Sequence, residues 1–434
     1  MGFRFSRLPG GSAVLSALPL PGTPTTLRAN MAEIAPFAAV RPKASLAGQI
    51  CQLPYDVMSS AEARALAQGN PLSFLRVSKP EIELPENTDP HSSQVYARGR
   101  EQFARLLAEG SLVRDTRPAF YFYRQIMGDH RQTGLVAAAS CQDYLAGIIK
   151  KHELTRPDKE DDRVRHIEAL NAQTGPAFLV YPASARMDEL AGTCTEQTPD
   201  VDFTADDGVR HTSWTVRDAG ITTALRTAFA AMPCLYIADG HHRSAAAGRV
   251  FQARKGAGGS ANFLSVIFPH NQTQILPYNR VLKDLNGHSG AQLLTKLETI
   301  FTVSSGTPPR PGAKHQVGLY LGDGWHTLRF RPERTAGKTG IEGLDVTLLQ
   351  ELVLRPLFGI EDPRTSQRIN FVGGIRGTAE LERLVKSGEY ACAFSLFPTS
   401  IEDLMAVADA GGIMPPKSTW FEPKLRDGMF CHLI

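Results

Sequence analysis

The chain alternates between short unbroken apolar runs and longer stretches in which apolar residues recur every three or four positions. The first pattern predicts buried strands and the second amphipathic helices. Strands are predicted over 119–126 and 133–140, joined by the polar turn Met127-Gly128-Asp129-His130 as a hairpin. Further strands are predicted over 177–181, 263–268, 274–277, 317–321, 326–330, 369–372 and 391–396. Helices are predicted over 60–68, 93–109, 158–173, 218–231, 345–357, 378–386 and 400–409. The helix over 218–231 sets Ile221, Leu225 and Phe229 on one face, and that over 93–109 ends at Gly110. Segments 78–92 and 304–313, rich in proline with acidic residues or glycine, read as loops. No internal repeat is evident, and the elements do not alternate strictly. An α+β, or mixed α/β, fold follows.

Length and composition narrow the class. A chain of 434 residues is expected to hold more than one domain. The expected division is an over-extended or disordered start over 1–30, an N-terminal domain over 31–275 and a C-terminal α/β domain over 276–434. The first 30 residues carry Arg4, Arg7 and Arg28 with no acidic residue; a signal or transit peptide is the other reading of them. A net charge of +3 gives no electrostatic case for nucleic-acid binding. No apolar run is long enough to span a bilayer. The six cysteines are scattered without a Cys-x-x-Cys pair, which excludes a zinc ribbon and fits a reducing, cytoplasmic compartment. Oligomeric state is not legible.

The densest chemistry lies in Asp239-Gly240-His241-His242-Arg243. An apolar run, Cys234 to Ala238, precedes it, and Ser244-Ala245-Ala246-Ala247 follows. The reading is strand, tight turn, helix, with the helix running to about residue 253. Gly240 allows a turn that a side chain would obstruct. The turn carries a carboxylate, two imidazoles and a guanidinium to a helix N-terminus, where unpaired N–H groups suit a phosphate. Arg243 adds a planar fork matched to phosphate oxygens. A solvated loop capped by Asp239 is the simpler alternative.

A second charged segment begins at Lys150-Lys151-His152-Glu153, directly after the apolar run Leu145 to Ile149, and continues through Arg156 to Arg163 and His166. Most such runs are solvated helix faces. This one follows a predicted strand end, where sites tend to be built. Near the C-terminus, Pro416-Lys417-Ser418-Thr419 resembles the end of a phosphate-binding loop but lacks its glycines. Tyr55-Asp56 and Phe371-Val372-Gly373-Gly374 are weaker signals. His152, Glu153, His166, His241 and His242 offer donors for zinc, but no His-Glu-x-x-His helix is present. Mg²⁺ held by phosphates and one carboxylate, Asp239, suits the pattern better. No Gly-x-Ser-x-Gly elbow supports a serine hydrolase.

Several of these motifs, in this order, resemble the family known as domain of unknown function 1015. They are Pro54-Tyr55-Asp56-Val57, Tyr121 to Arg124, Lys151-His152-Glu153 with Lys159 to Arg163, Ala238 to Arg243, Asn279-Arg280-Val281, Phe371 to Gly374, and Met414 to Phe421 with Pro423-Lys424. The resemblance covers residues 31–434. The Asp-Gly-His-His-Arg turn is also similar to the Asp-Gly-x-His-Arg/Thr turn of the ParB/sulfiredoxin-like fold, a group holding nucleotide-dependent free-serine kinases, ParB-type CTPases and sulfiredoxin. That resemblance implies a ParB/sulfiredoxin-like core within the larger chain. It implies Asp239, His241 and His242 as catalytic residues, Asp239 also as metal ligand, and Glu153 as the base. Gly240, Arg243, Lys417 and Lys151 are then the phosphate-binding residues. The implied partners are a small molecule, serine or phosphoserine, and ATP or ADP with Mg²⁺, acted on by a kinase or a phosphatase. A nucleotide-binding regulatory module of ParB type is the alternative it leaves.

Overall fold

The computed structural model describes residues 31–306 and 310–434. The expectation for 1–30 lies outside the described residues, as does the centre of the 304–313 loop. The first sheet is built from Ile34–Ala35 (β1), Tyr121–Met127 (β2), His130–Ser140 (β3), Ile149–Lys150 (β4), Ala177–Tyr181 (β5), Val201–Thr204 (β6), Arg210–Thr215 (β7), Leu235–Asp239 (β8) and Asn262–Pro269 (β9). Their order across the sheet is β4-β8-β5-β9-β3-β2-β7-β6, with β1 paired to β3. β4 runs parallel to β8 and β5 parallel to β9; the other pairs are antiparallel.

Both faces are buried over β5, β8 and β9, which is why these strands read as continuous apolar runs. Successive side chains point to opposite faces. Tyr121, Tyr123, Val136, Ala138, Phe178, Val180, Tyr236 and Ala238 therefore pack on one side. Phe122, Leu135, Ala137, Leu179, Leu235 and Ile237 pack on the other, against Met187 and Leu190 of the helix Ala185–Thr195 and Leu225 and Phe229 of the helix Ala219–Ala230. The side chain of Asp218 accepts from Ile221 N–H and caps the second of these helices.

A second sheet follows in sequence: Tyr278–Leu282 (β10), Phe301–Ser305 (β11), Gln316–Tyr320 (β12), Trp325–Phe330 (β13), Ile369–Gly373 (β14) and Cys392–Leu396 (β15). Its order is β11-β13-β12-β15-β10-β14, antiparallel throughout. The chain then turns back. Trp420–Glu422 pairs with Gln274–Leu276, Asp427 bridges to Gln52, Cys431 to Val40, and His432–Leu433 pairs with Ala172–Gln173. This returning tail lies across the first sheet, with Phe421 on Phe178 (5.2 Å between ring centroids) and Phe430 on Tyr121 (5.2 Å) and Tyr123 (5.9 Å). Residues 31–434 consequently form one compact unit. All six cysteines are buried and free. Among the described residues no helix is long and apolar enough to cross a membrane.

The mixed α/β class is as expected from the pattern, and the differences have local causes. β7 reads as polar, yet His211, Thr212 and Ser213 are buried. His211 Nε2 accepts from Arg426 Nε at 3.0 Å. Its Nδ1 therefore carries the proton and donates to the Tyr123 hydroxyl at 2.7 Å. The helix predicted over 345–357 is interrupted: Asp345–Leu349 and Arg355–Phe358 are α-helical, and Gln350–Leu354 between them has wider π geometry. Pro356 has no N–H to give to the regular ladder, which accounts for the break. Residues 304–305, predicted as loop, close the edge strand β11.

The tail depends on one glycine. Gly428 has φ +82°, and a Cβ there would sit 2.6 Å from Phe74 Cγ. Gly428→Ala is expected to carry a left-handed backbone cost of about 1–2 kcal/mol and an overpacking cost of about 1–3 kcal/mol. Gly69→Ala, at φ +73° with nothing within 4 Å of the new Cβ, carries the backbone cost alone. Denaturant melts of both variants check this; equal destabilisation would show that the tail tolerates the added methyl group.

Candidate functional site

β8 ends at Asp239, Gly240 turns the chain at φ +93°, and the helix His241–Arg254 (α1) starts at the next residue. A side chain at Gly240 would meet Ala177 Cα at 3.2 Å and the Arg243 guanidinium carbon at 3.2 Å, so the turn admits no other residue without movement. The small residues that follow let α1 lie close to its neighbours: a Cβ on Gly248 would stand 3.1 Å from the Tyr144 ring. β4, beside β8, leads directly into His152 and Glu153 and so delivers them to the same corner. The tail is pinned there too, with Met414 N–H donating to His152 O at 2.8 Å.

These elements wall a cleft of about 720 Å³. Asp239, His241, His242, Glu153 and Lys417 all line it, with Asp56, Tyr278, Trp420 and Lys424. Asp239 is held on both oxygens: Oδ1 accepts from Gly240 N–H at 2.8 Å and Oδ2 from Lys424 Nζ at 3.1 Å. Burial raises the Asp239 carboxyl, but the Lys424 and Arg243 charges outweigh it and hold the group well below the usual carboxylate range. Lys424 is itself buried, its ammonium 4.6 Å from the Trp420 ring centroid. Burial raises Glu153, while the Lys417 charge opposes the rise and Asp239 adds to it.

The two adjacent histidines are used differently. His242 Nε2 accepts from the backbone N–H of Arg156 at 3.1 Å. His241 is buried, packed edge to face on His152 with centroids 4.5 Å apart, and its Nε2 meets no hydrogen-bond partner. Both ring nitrogens of His152 likewise lack a partner; the Ile237 backbone lies near the ring but off good geometry. Burial drives the His152 ring down to about 4, against that backbone group and Asp239, and drives His241 well below its ordinary value.

Arg243 and Lys151 sit elsewhere. The Arg243 guanidinium turns back beneath Gly240, donates to Pro176 O, and lies 3.8 Å from both Asp56 and Asp239. It lines a small inner space of about 30 Å³, room for one water, with Tyr55, Arg163, His166 and Asp427. The fork expected to hold a phosphate is thus engaged by protein. Lys151 is exposed and does not line the cleft, because its neighbour His152 takes the inward position on that short segment.

Lys424 and Asp427 arrive on the tail without a local pattern that marks them as site residues, and Asp56 carries only the weak Tyr55-Asp56 signal. Lys424 stood in one of the resemblance motifs, the only signal it offered. Burial pushes Asp427 up to about 7, opposed by Arg243 and reinforced by Asp56. Arg163 stacks on Tyr55 at 3.8 Å and pairs with Asp162 at 2.6 Å, so the charged helix Pro157–Leu170 (α2) turns this face inward. Asp162 and His166 of this helix do not form a site: Asp162 accepts from Tyr96 and His166 bonds Val77 O.

The depressed His152 value gives a direct check. Its ring is expected to stay neutral at about pH 5.5, where an ordinary histidine is charged. Histidine-labelled NMR should show neutral ring nitrogens for His152 down to about 4. A midpoint near the ordinary value would mean that the ring is open to water.

The model of the family described as protein of unknown function (DUF1015) matches residues 34–347. No curated protein matches significantly. Among solved structures, a conserved hypothetical protein from Pyrococcus furiosus is 16% identical, covering 64% of this chain and 89% of that chain, with a TM-score of 0.33. SbnI with C-terminal truncation from Staphylococcus aureus is 12% identical, covering 67% and 85%, with a TM-score of 0.37. A free serine kinase in complex with AMP is 16% identical, covering 63% and 83%, with a TM-score of 0.34. The family match takes in the strand–turn–helix corner, the segment leading to Glu153 and most of the first sheet, and the chain belongs to the DUF1015 family.

Proposed function

We propose that this protein transfers a phosphoryl group on a small hydroxyl-bearing molecule, serine or phosphoserine, with ATP or ADP as the nucleotide. The observation that carries the reading is the convergence of Asp239, Lys424, Lys417 and Glu153 on the N-terminus of α1 at one end of the cleft. Phosphoryl transfer asks mainly for positioning and for positive charge around the equatorial oxygens. The first-turn N–H groups of α1 and the two ammonium groups supply that charge. A volume of about 720 Å³ suits a small molecule with part of a nucleotide.

In this reading the substrate hydroxyl oxygen forms the new bond to phosphorus while the bond to the donor's bridging oxygen breaks. Glu153 accepts the hydroxyl proton, and its raised value makes it a better acceptor near neutral pH than an ordinary carboxylate. If water replaces the hydroxyl, the same groups serve a phosphatase. Asp239 fixes Lys424 and so sets where the phosphate's negative charge is met. Arg243 acts as a positioning residue behind the turn, and His242 steadies the entry to α2 through Arg156.

Asp239 and Asp56 both line the cleft and offer carboxylate oxygens, the donors Mg²⁺ takes, but Arg243 lies 3.8 Å from each and Lys424 is paired with Asp239, so an ion there would be held mainly by phosphate oxygens. Bound there, the ion would neutralise charge on the transferring group.

O-phosphoserine is to be incubated with Mg²⁺, with and without ADP, while serine and phosphate are followed. ADP-dependent serine formation indicates a reversible kinase, and nucleotide-independent release a phosphatase. Asp239→Asn and Lys424→Met are each expected to lower turnover by at least about 100-fold with the circular dichroism spectrum retained. Full turnover in a folded Asp239→Asn protein removes the assignment.

A further inference from the structure

We infer that His152, Glu153 and His241 form a binding site for a borderline transition-metal ion such as Zn²⁺, distinct from the Mg²⁺ position. One ligand atom from each lies within 4.8 Å of the others. Tetrahedral zinc, with bonds of about 2.0–2.2 Å to nitrogen and oxygen, places its ligand atoms roughly 3.4 Å apart. A side-chain adjustment of about an ångström therefore closes the set. Two imidazoles and a carboxylate with one open position is the composition of a catalytic-type zinc site.

Independent observations point to a ligand. His152 and His241 are 1% and 6% exposed, and both nitrogens of the first and Nε2 of the second have no hydrogen-bond partner. Buried polar atoms left unpaired cost free energy, so such a cluster on a cleft wall needs an occupant. His242, the other imidazole of the turn, is engaged by Arg156 N–H. Glu153 and His241 also line the cleft, which leaves the open position facing it. Mg²⁺, which prefers oxygen and keeps its waters, does not suit two imidazoles.

One consequence rests on the phosphoryl-transfer reading. Glu153 is the proposed proton acceptor, so an ion at this site and the base compete for one carboxylate. Zn²⁺ at one equivalent is then expected to suppress turnover measured in excess Mg²⁺.

The test uses the full chain, freed of metal by a chelator and titrated with Co²⁺. One equivalent is expected to bind with the visible absorption of a tetrahedral nitrogen–oxygen site, and millimolar Mg²⁺ should not displace it. Glu153→Gln, on the cleft wall, and His152→Gln should each weaken binding by about 100-fold or more. Absence of saturable Co²⁺ binding, or binding unchanged in a folded Glu153→Gln protein, overturns the site. Because binding is read without substrate, its failure leaves the O-phosphoserine assay standing. Conversely, Co²⁺ binding by a protein inert toward O-phosphoserine retains the metal site and removes the proposed reaction.

Discussion

The ammonium of Lys424 rests on the Asp239 carboxylate, and the geometry of the cleft end depends on that contact. The two residues are 185 positions apart, joined only because the tail folds back over the first sheet. Lys424 is buried, and a buried charge is tolerated only with a partner. Its backbone is fixed as well: its N–H donates to Glu422 Oε2 at 3.0 Å and its carbonyl accepts from Gln125 Nε2 at 2.8 Å. Removing either partner leaves an uncompensated charge in a low-dielectric setting. The pair thus ties the end of β8 to the tail.

Behind it the charges are layered. Arg243 lies between Asp56 and Asp239, with Asp427 and Arg163 deeper in. Gly175 is needed here, since a Cβ would come 2.8 Å from Asp427 Oδ1. Within this network Arg243 Nε and Asp427 Oδ1 have no hydrogen-bond partner. Arg243, the most obvious anion ligand in the sequence, is turned inward, where it donates to Pro176 O behind the Asp56 and Asp239 carboxylates. Beside Asp239 and Glu153 the positive charge comes instead from Lys424 and Lys417, which arrive late in the chain. The neutral histidines beside them follow from the same physics, since desolvation removes their protons more effectively than Asp239 restores them.

The strand–turn–helix at Asp239 was legible because its signals are local. An apolar run, a glycine at a left-handed position and a run of small helix formers specify that geometry without reference to the rest of the chain. The buried strands of the first sheet were legible for the same reason, although an apolar run does not say which faces are covered. β7 was not legible, because its buried Thr, Ser and His are acceptable only once Tyr123 and Arg426 stand opposite. The helix Gly290–Leu297 is absent from the helices predicted by the apolar pattern, although the capping box between Ser289 and Gln292 is a local signal for it.

By itself the sequence determined the mixed α/β class, the turn that presents Asp239 and His241, and the closeness of His152 and Glu153 to a strand end. These follow from hydrophobic period and backbone chirality, which act over a few residues. Only the tertiary structure decided which charges meet. Whether Arg243 faced the cleft or the interior, whether Lys151 or Lys424 served Asp239, and whether His241 or His242 stayed unpartnered depended on desolvation and on pairings between residues far apart in sequence. No local pattern encodes those, because the free energy of a buried charge is set by what surrounds it rather than by its neighbours in sequence.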